Sequence, residues 1–240
     1  MAGTETTDAA YVVHHQRLRE TSLIVHCLTR AHGMQSMVAR GVQSGKRSRH
    51  CVLEFTPLQL SWAGRANLPN LVRSEPLKAG FALTGERLLS ALYLNELIMR
   101  FVSRGDANQR AFDAYTTALT ALADDHVLEP ILRRFEVTLL DSCGYGLVFD
   151  SAADSARPLD PHTEYYYVAE RGPLEVAPPF KCPKVSGAAL LCLGGSSDWT
   201  PDTARAAKGL MRVLLQHHLG GRELATRKLF NYRKPAPRGV

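Results

Sequence analysis

A chain of 240 residues, 45% hydrophobic and 22% charged, suffices for one large domain or two or three small ones and excludes disorder throughout. Its 29 Lys and Arg against 23 Asp and Glu leave +6, but that remainder hides a pattern. Residues 1–105 hold 13 basic and 7 acidic side chains, residues 106–175 hold 5 and 13, and residues 176–240 hold 11 and 3. A basic front, an acidic middle and a basic end point to faces of opposite potential and to anionic partners.

No apolar run reaches the roughly 18 to 20 residues of a transmembrane helix. The opening MAGTETTDAA has two acids, no Lys or Arg and no apolar core, so it does not read as a secretory signal and is expected to be a short mobile tail. The five cysteines, Cys27, Cys51, Cys143, Cys182 and Cys192, are odd in number and widely spaced. They argue against a disulfide framework and for a reducing compartment, so a cytoplasmic, nucleoid-associated location is expected.

From Tyr11 to Leu77 the pattern is β. Short apolar or alternating runs at Tyr11–Val13, Ser22–Leu28, Met34–Ala39, Leu53–Trp62 and Asn70–Ser74 are punctuated by turn formers at His32-Gly33, Gly41 to Gly45, Ala63-Gly64 and Leu68-Pro69-Asn70. Five such strands fit a small barrel of the OB type or an open sheet. Pro57 interrupts the fourth run, which predicts a bulge or an edge.

After Gly80 the period becomes helical. Thr84 is placed to cap a helix in which Leu88, Leu92, Met99 and Val102 form a stripe that Leu89, Tyr93 and Leu97 widen. A second helix, Gln109 to Ala123, carries Phe112, Tyr115, Ala118, Leu119 and Leu122. A third begins near Pro130 and runs through Ile131, Leu132, Phe135, Val137, Leu139 and Leu140 to a stop at Cys143-Gly144. Residues 150–200, rich in Pro, Ser, Ala and Gly, predict a loop-dominated insert with one strand, Glu164 to Val168. Helix resumes at Pro201, with Ala206, Leu210, Val213, Leu214 and His217 on its apolar side, and ends at Gly220-Gly221. A short helix from Glu223 to Phe230 and a basic tail follow.

The Gly-rich segment GVQSGKRSRH is the first candidate site. It fails as a Walker A loop, because three residues rather than four separate Gly41 from Gly45 and Arg47 stands where a hydroxyl should bind magnesium. What remains is Arg40, Lys46, Arg47, Arg49 and His50, with no acid between Glu20 and Glu54, a pattern suited to backbone phosphates. From Arg205 onward nine basic residues face one acid, Glu223, and Arg222, Arg227 and Lys228 are the second set. Phe230 and Tyr232 interleave it, and Tyr11, Phe55 and Trp62 stand in the β region, each a core residue or a platform for an unpaired base.

Metal and catalytic signatures are missing from the sequence. There is no C-x-x-C, and nine residues lie between Cys182 and Cys192. The adjacent pairs His14-His15 and His217-His218 diverge on either a strand or a helix. There is no G-x-S-x-G and no H-E-x-x-H, so no cofactor, metal or enzymatic activity is expected. Asp124-Asp125 read as a helix end and a solvated turn.

Four ordered blocks resemble the RecO family of bacterial recombination mediators. They are YVVHHQRLRETSLIVHCLTRAHGMQSMVARGVQSGKRSR, which has Glu20, Ser22, Thr29, His32, Gly33, Ala39, Gly41 and Ser48 at family-like positions, then LYLNELIMR, LRRFEVTLLDSCGYG and LGGRELATRKLF. The resemblance implies an α+β protein: an OB-fold domain over 1–79, a helical domain over 80–149 and 201–240, and an insert over 150–200. Many members carry C-x-x-C pairs after the GYG element. FDSAADSARPLDPHTEYYY has none, so the chain looks like the zinc-free branch.

The resemblance further implies binding to single- and double-stranded DNA, annealing of complementary strands, contact with RecR and the C-terminal tail of single-strand-binding protein, and a link to RecF and RecA. For that acidic tail with its apolar end, a basic rim beside an apolar pocket is the complement. Arg133 and Arg134 are candidate partner contacts, with a buried ion pair to Glu136 or the neighbourhood of Asp141 as the alternative. Two other classes stay open. One is a protein-interaction adaptor with incidental DNA binding, and the other is a phosphate-processing enzyme using Gly41 to Lys46.

Overall fold

A computed structural model describes residues 5–42, 50–64 and 68–232, without the side chains of residues 230–232. The chain divides into two compact units, Met1–Asp124 and Asp125–Val240. In the first, the strand expected at Tyr11–Val13 is a 14-residue strand, β1 (Glu5–Leu18). It pairs antiparallel along its first half with β4 (Leu58–Ala63) and along its second with β2 (Ser22–Thr29). β2 pairs with β3 (Gly33–Ala39), β4 with β5 (Asn70–Pro76), and β3 meets β5 in parallel through Val38 and Asn70. The result is a closed barrel in the order β1-β2-β3-β5-β4, the OB arrangement rather than an open sheet.

β1 runs on to Leu18 and β5 to Pro76, beyond the sequence reading, and two further boundaries differ more sharply. Glu5 to Ala10, expected as a tail, are laddered to β4, and the hydroxyls of Thr7 and Ser61 bond at 2.7 Å. Their composition is poor in β-formers, so the register rests on the main-chain ladder and on Asp8. That carboxylate accepts from the Ala9 and Ala31 N–H groups and lies 2.9 Å from His32 Nδ1. At the other boundary, Leu53 to Pro57 are not strand. Phe55 has φ +56, its carbonyl accepts from Phe81 N–H, and Pro57 has no donor for a ladder.

The barrel is filled by Ala10, Val12, Leu23, Val25, Cys27, Met37, Ala39, Leu58, Leu60, Trp62 and Leu71. Full burial pushes the Cys27 thiol up to about 12, so it packs as a small apolar group. The outer face of β1 is buried too. Tyr11 lies 5.5 Å from the Phe112 ring and 5.1 Å from Tyr115, and Tyr115 OH donates to Asn95 Oδ1 at 2.5 Å. Those partners stand on α1 (Gly85–Phe101) and α2 (Gln109–Ala123).

On α2 the expected apolar set is the buried one, and Asn108 caps it by accepting from Ala111 N–H. On α1 the buried face centres on Leu94, Leu97, Ile98 and Phe101 rather than on Leu88, Leu92 and Met99. The helix is apolar nearly all round, so its phase is set by what it packs against. Thr84 stands at the N-cap without a side-chain cap bond.

In the second unit, α3 (Leu128–Ser142), α4 (Gly187–Leu193) and α5 (Pro201–His218) pack together beside a three-stranded antiparallel sheet. Its order is β7 (Gly172–Leu174), β6 (Glu164–Val168), β8 (Lys184–Ser186). The stretch expected to be loop-dominated therefore contributes β7, β8 and α4 as well as the expected β6. β7 and β8 are three residues each and α4 is seven, too short for any period to register.

Asp154 organises this stretch by accepting from the Glu175 and Val176 N–H groups. Slight desolvation raises its pKa, but these bonds and the charge of Arg171 outweigh that and hold it below the usual carboxylate range. On α5, Thr200 and Thr203 form a capping box with Pro201 in the first turn. Its buried set is Ala207, Leu210, Met211, Leu214 and Leu215, displaced from the expected one. A short α6 (Thr226–Tyr232) follows. All five cysteines are free, and no described helix is long and apolar enough to cross a membrane.

Gly33 and Gly41 both have left-handed φ, +62 and +71, but only Gly33 is crowded: a Cβ there would meet the Asp106 carbonyl oxygen at 2.0 Å. Gly41→Ala is expected to cost about 1 to 2 kcal/mol, the left-handed penalty alone. Gly33→Ala should cost clearly more, since the clash is with backbone, and urea unfolding of the two variants measures the difference.

Candidate nucleic-acid interface

Between Val12 and His14 the β1 register shifts by one, and this bulge changes what the strand presents. Just before it, Ala10 to Val13 are buried on both faces; after it His14, His15, Gln16 and Arg17 are exposed. His14, His26 and Ser36 lie opposite one another across β1, β2 and β3. The two rings stack at 5.7 Å, and His26 Nδ1 is 2.9 Å from Ser36 Oγ. Burial, then the charges of His14 and Arg104, lower the His26 pKa, so the ring is neutral at pH 7. Arg17 and Arg19 flank the β1–β2 turn, both exposed. In OB barrels the strand 2–3 face and this loop are where oligonucleotides bind.

Arg40 is exposed just after β3. Lys46, Arg47 and Arg49 lie outside the described residues. The segments on either side are seated on the barrel, with Val42, Cys51 and Val52 packed against its core and Cys51 N–H donating to Ser74 O at 3.2 Å. In the second unit Arg222 and Lys228 are exposed and Arg227 is half-buried, the first just after α5 and the others on α6.

Ion pairing sorts the basic residues. Arg30 pairs with Asp113, Arg73 with Glu75, Arg157 with Glu175, Lys184 with Glu164, Arg205 with Asp202 and Lys208 with Glu129. Arg17, Arg19, Arg40, Arg222, Arg227 and Lys228 form no ion pair with a described residue, so their charge is available to a phosphate backbone. Arg17 and Arg19 are absent from the candidates that sequence reasoning singles out. The change from YVV to HHQRLR, apolar to polar inside one strand, is the signal that marks them.

The barrel aromatics are not stacking platforms. Tyr11, Phe55 and Trp62 are buried, and Phe230 and Tyr232 have no described side chains.

Arg133 is corrected as well: at 4% exposure it is interior, and its Nη2 donates at 2.6 Å to Glu136, which is fully buried. Desolvating a cation is tolerable here because the carboxylate is at hydrogen-bond distance. Arg134 is exposed. Arg133 Nε also comes within 4.0 Å of Glu129, whose other oxygen meets Lys208 Nζ at 2.5 Å. This chain of alternating charge runs from the interior to the rim of a cavity of about 460 Å³. Val127, Pro130, Trp199, Pro201 and Ala204 line it, with Arg205 and Lys208 at its basic edge. These residues are scattered in sequence, which hid the cavity.

Among the described residues, an OB-type barrel bearing cations without ion-pair partners and a helical unit with an apolar, basic-rimmed groove make an arrangement suited to anionic partners, the class of fold that nucleic-acid binders use. The family models agree: residues 1–79 match "Recombination protein O N terminal" and residues 82–228 match "Recombination protein O C terminal". The chain is 40% identical over 222 residues to the DNA repair protein RecO of Aromatoleum aromaticum, covering 92% of each chain. It is 38% identical to that of Methylococcus capsulatus, over 93% of this chain and 92% of the relative. With that of Aliivibrio fischeri it shares 34% over 94% and 95%. The chain belongs to the RecO family of DNA repair proteins, non-enzymatic recombination mediators.

If Arg133 serves the interior, Arg133→Met should destabilise the fold by about 3 to 5 kcal/mol by leaving Glu136 buried without its cation. Arg133→Met combined with Glu136→Leu should recover most of that loss, as read by urea denaturation.

Proposed function

We propose that the chain binds single- and double-stranded DNA by pairing its cations with phosphates, anneals complementary strands, and acts with RecR to load RecA on DNA coated with single-strand-binding protein. The observation that carries this reading is a set of basic residues on the barrel and at the end of the second unit that form no ion pair with a described residue. Arg17, Arg19 and Arg40 stand on the barrel, Arg222, Arg227 and Lys228 on the second unit, and Lys46, Arg47 and Arg49 belong to the same basic set by sequence. Annealing two polyanions needs their repulsion screened and the strands held close, which basic surfaces supply with no reacting side chain.

The acidic, apolar-ended tail of single-strand-binding protein would dock in the groove of Val127, Pro130 and Trp199. Its end would sit on the apolar floor and its carboxylates would compete with Glu129 and Asp202 for Lys208 and Arg205. Arg134, exposed on α3, is the remaining partner candidate on that helix.

Replacing Lys46, Arg47 and Arg49 together by Ala should weaken binding to all sequences alike. The log–log salt slope should fall by about 0.7 to 0.9 for each phosphate that is no longer neutralised, and an unchanged slope would remove that segment from the interface. In annealing assays on coated strands, removing the partner's acidic tail should abolish stimulation, and Trp199→Ala or Lys208→Glu should have the same effect. Indifference to the tail would leave a generic DNA binder. DNA affinity no tighter than about 10⁻⁴ to 10⁻⁶ M at physiological salt would favour the adaptor instead.

A further inference from the structure

Glu170, His217 and His218 stand outside the residues assigned above to DNA binding and to docking the acidic tail. Adjacent histidines on a helix start about 100° apart, a poor beginning for a chelate. At the end of α5 the outcome differs. The two rings stand 5.1 Å apart at 82°, and Glu170, at the turn joining β6 to β7, reaches them from 47 residues away. Each of the three residues offers a ligand atom, and these atoms all lie within 4.8 Å of one another.

His217 Nε2 is 3.3 Å from Glu170 Oε1. That is longer than the roughly 2.7 to 2.9 Å of a charge-assisted hydrogen bond. It matches the roughly 3.3 to 3.4 Å between two ligand atoms held about 2.0 to 2.1 Å from a tetrahedral zinc.

His218 adds an independent observation. Its Nε2 is buried with no hydrogen-bond partner among the described residues, and its ring lies 4.2 Å from Tyr145. The pair also ends an 18-residue helix, where the carbonyl dipoles favour a cation. Two imidazoles and one carboxylate suit zinc rather than the all-oxygen shells of calcium or magnesium.

We propose that Glu170, His217 and His218 bind one zinc ion, water completing its coordination, and that the ion fastens the β6–β7 turn to the end of α5.

The test uses the full chain, without a polyhistidine tag and stripped of metal, titrated with zinc chloride by calorimetry while thermal unfolding is followed in parallel. One zinc per chain and a zinc-dependent rise in Tm are expected. His217→Ala, His218→Ala and Glu170→Gln should each weaken binding at least tenfold and remove the Tm rise, while His162→Gln leaves both intact. Cobalt should give visible d–d bands that the three variants lack. Circular dichroism without zinc checks that each variant is folded, and Glu170→Gln, at an exposed position, keeps the test open if a histidine variant is not. Zinc affinity unchanged in Glu170→Gln and in the histidine variants, or no zinc binding by the parent chain, overturns the proposal.

Discussion

The first unit depends on β1 being buried on two sides at once. Ala10 and Val12 point into the barrel, and Tyr11 between them points out against Phe112 and Tyr115. A barrel strand normally shows its outer face to water, so this alternation lets one strand serve both the barrel core and the packing of α1 and α2, alongside the Arg30–Asp113 pair and the Met34 contacts. The bulge at Val13 ends the arrangement within a single residue and hands the rest of β1 to solvent. A closed core and an exposed basic, histidine-bearing face are thereby produced from one continuous strand.

Charge follows a similar division. Most arginines and lysines near an acid are held by it, and the buried pair of Arg133 and Glu136 extends that logic into the interior of the second unit. An exposed pair is worth little in stability, but it occupies its cation. Among the cations with no ion pair to a described residue, Arg17 and Arg19 sit at the β1–β2 turn, Arg40 follows β3, Arg222 follows α5, and Arg227 and Lys228 are on α6. The chain's mean charge conveys little of this, because an opposite-charge neighbour decides whether a basic residue can meet a phosphate.

Much of the architecture was legible in the residues. The alternating runs marked β2, β3 and β5; α2 spans the residues expected of it; and Pro201 and Gly220-Gly221 bounded α5 closely. The elements that escaped are those whose evidence is not local. Glu5 to Ala10 are strand because β4 lies beside them, and Leu53 to Pro57 are not strand because Phe55 adopts a left-handed turn. β7, β8 and α4 are too short to show a period. The basic segments of the site were visible as composition, whereas Arg17, Arg19 and the groove of Val127 and Trp199 became visible only once distant residues were brought together.

Sequence alone determined the class of fold, the absence of a recognisable catalytic motif, the family resemblance and the two basic regions, since periodicity, turn chemistry and charge are written residue by residue. Tertiary structure decided which face of α1 and α5 is buried, which cations are free of carboxylates, and that Arg133 is interior. It also decided that two helical histidines converge with a glutamate from a distant turn. Each of these depends on a neighbour far along the chain, and desolvation and ion pairing act through space, so no local pattern encodes them.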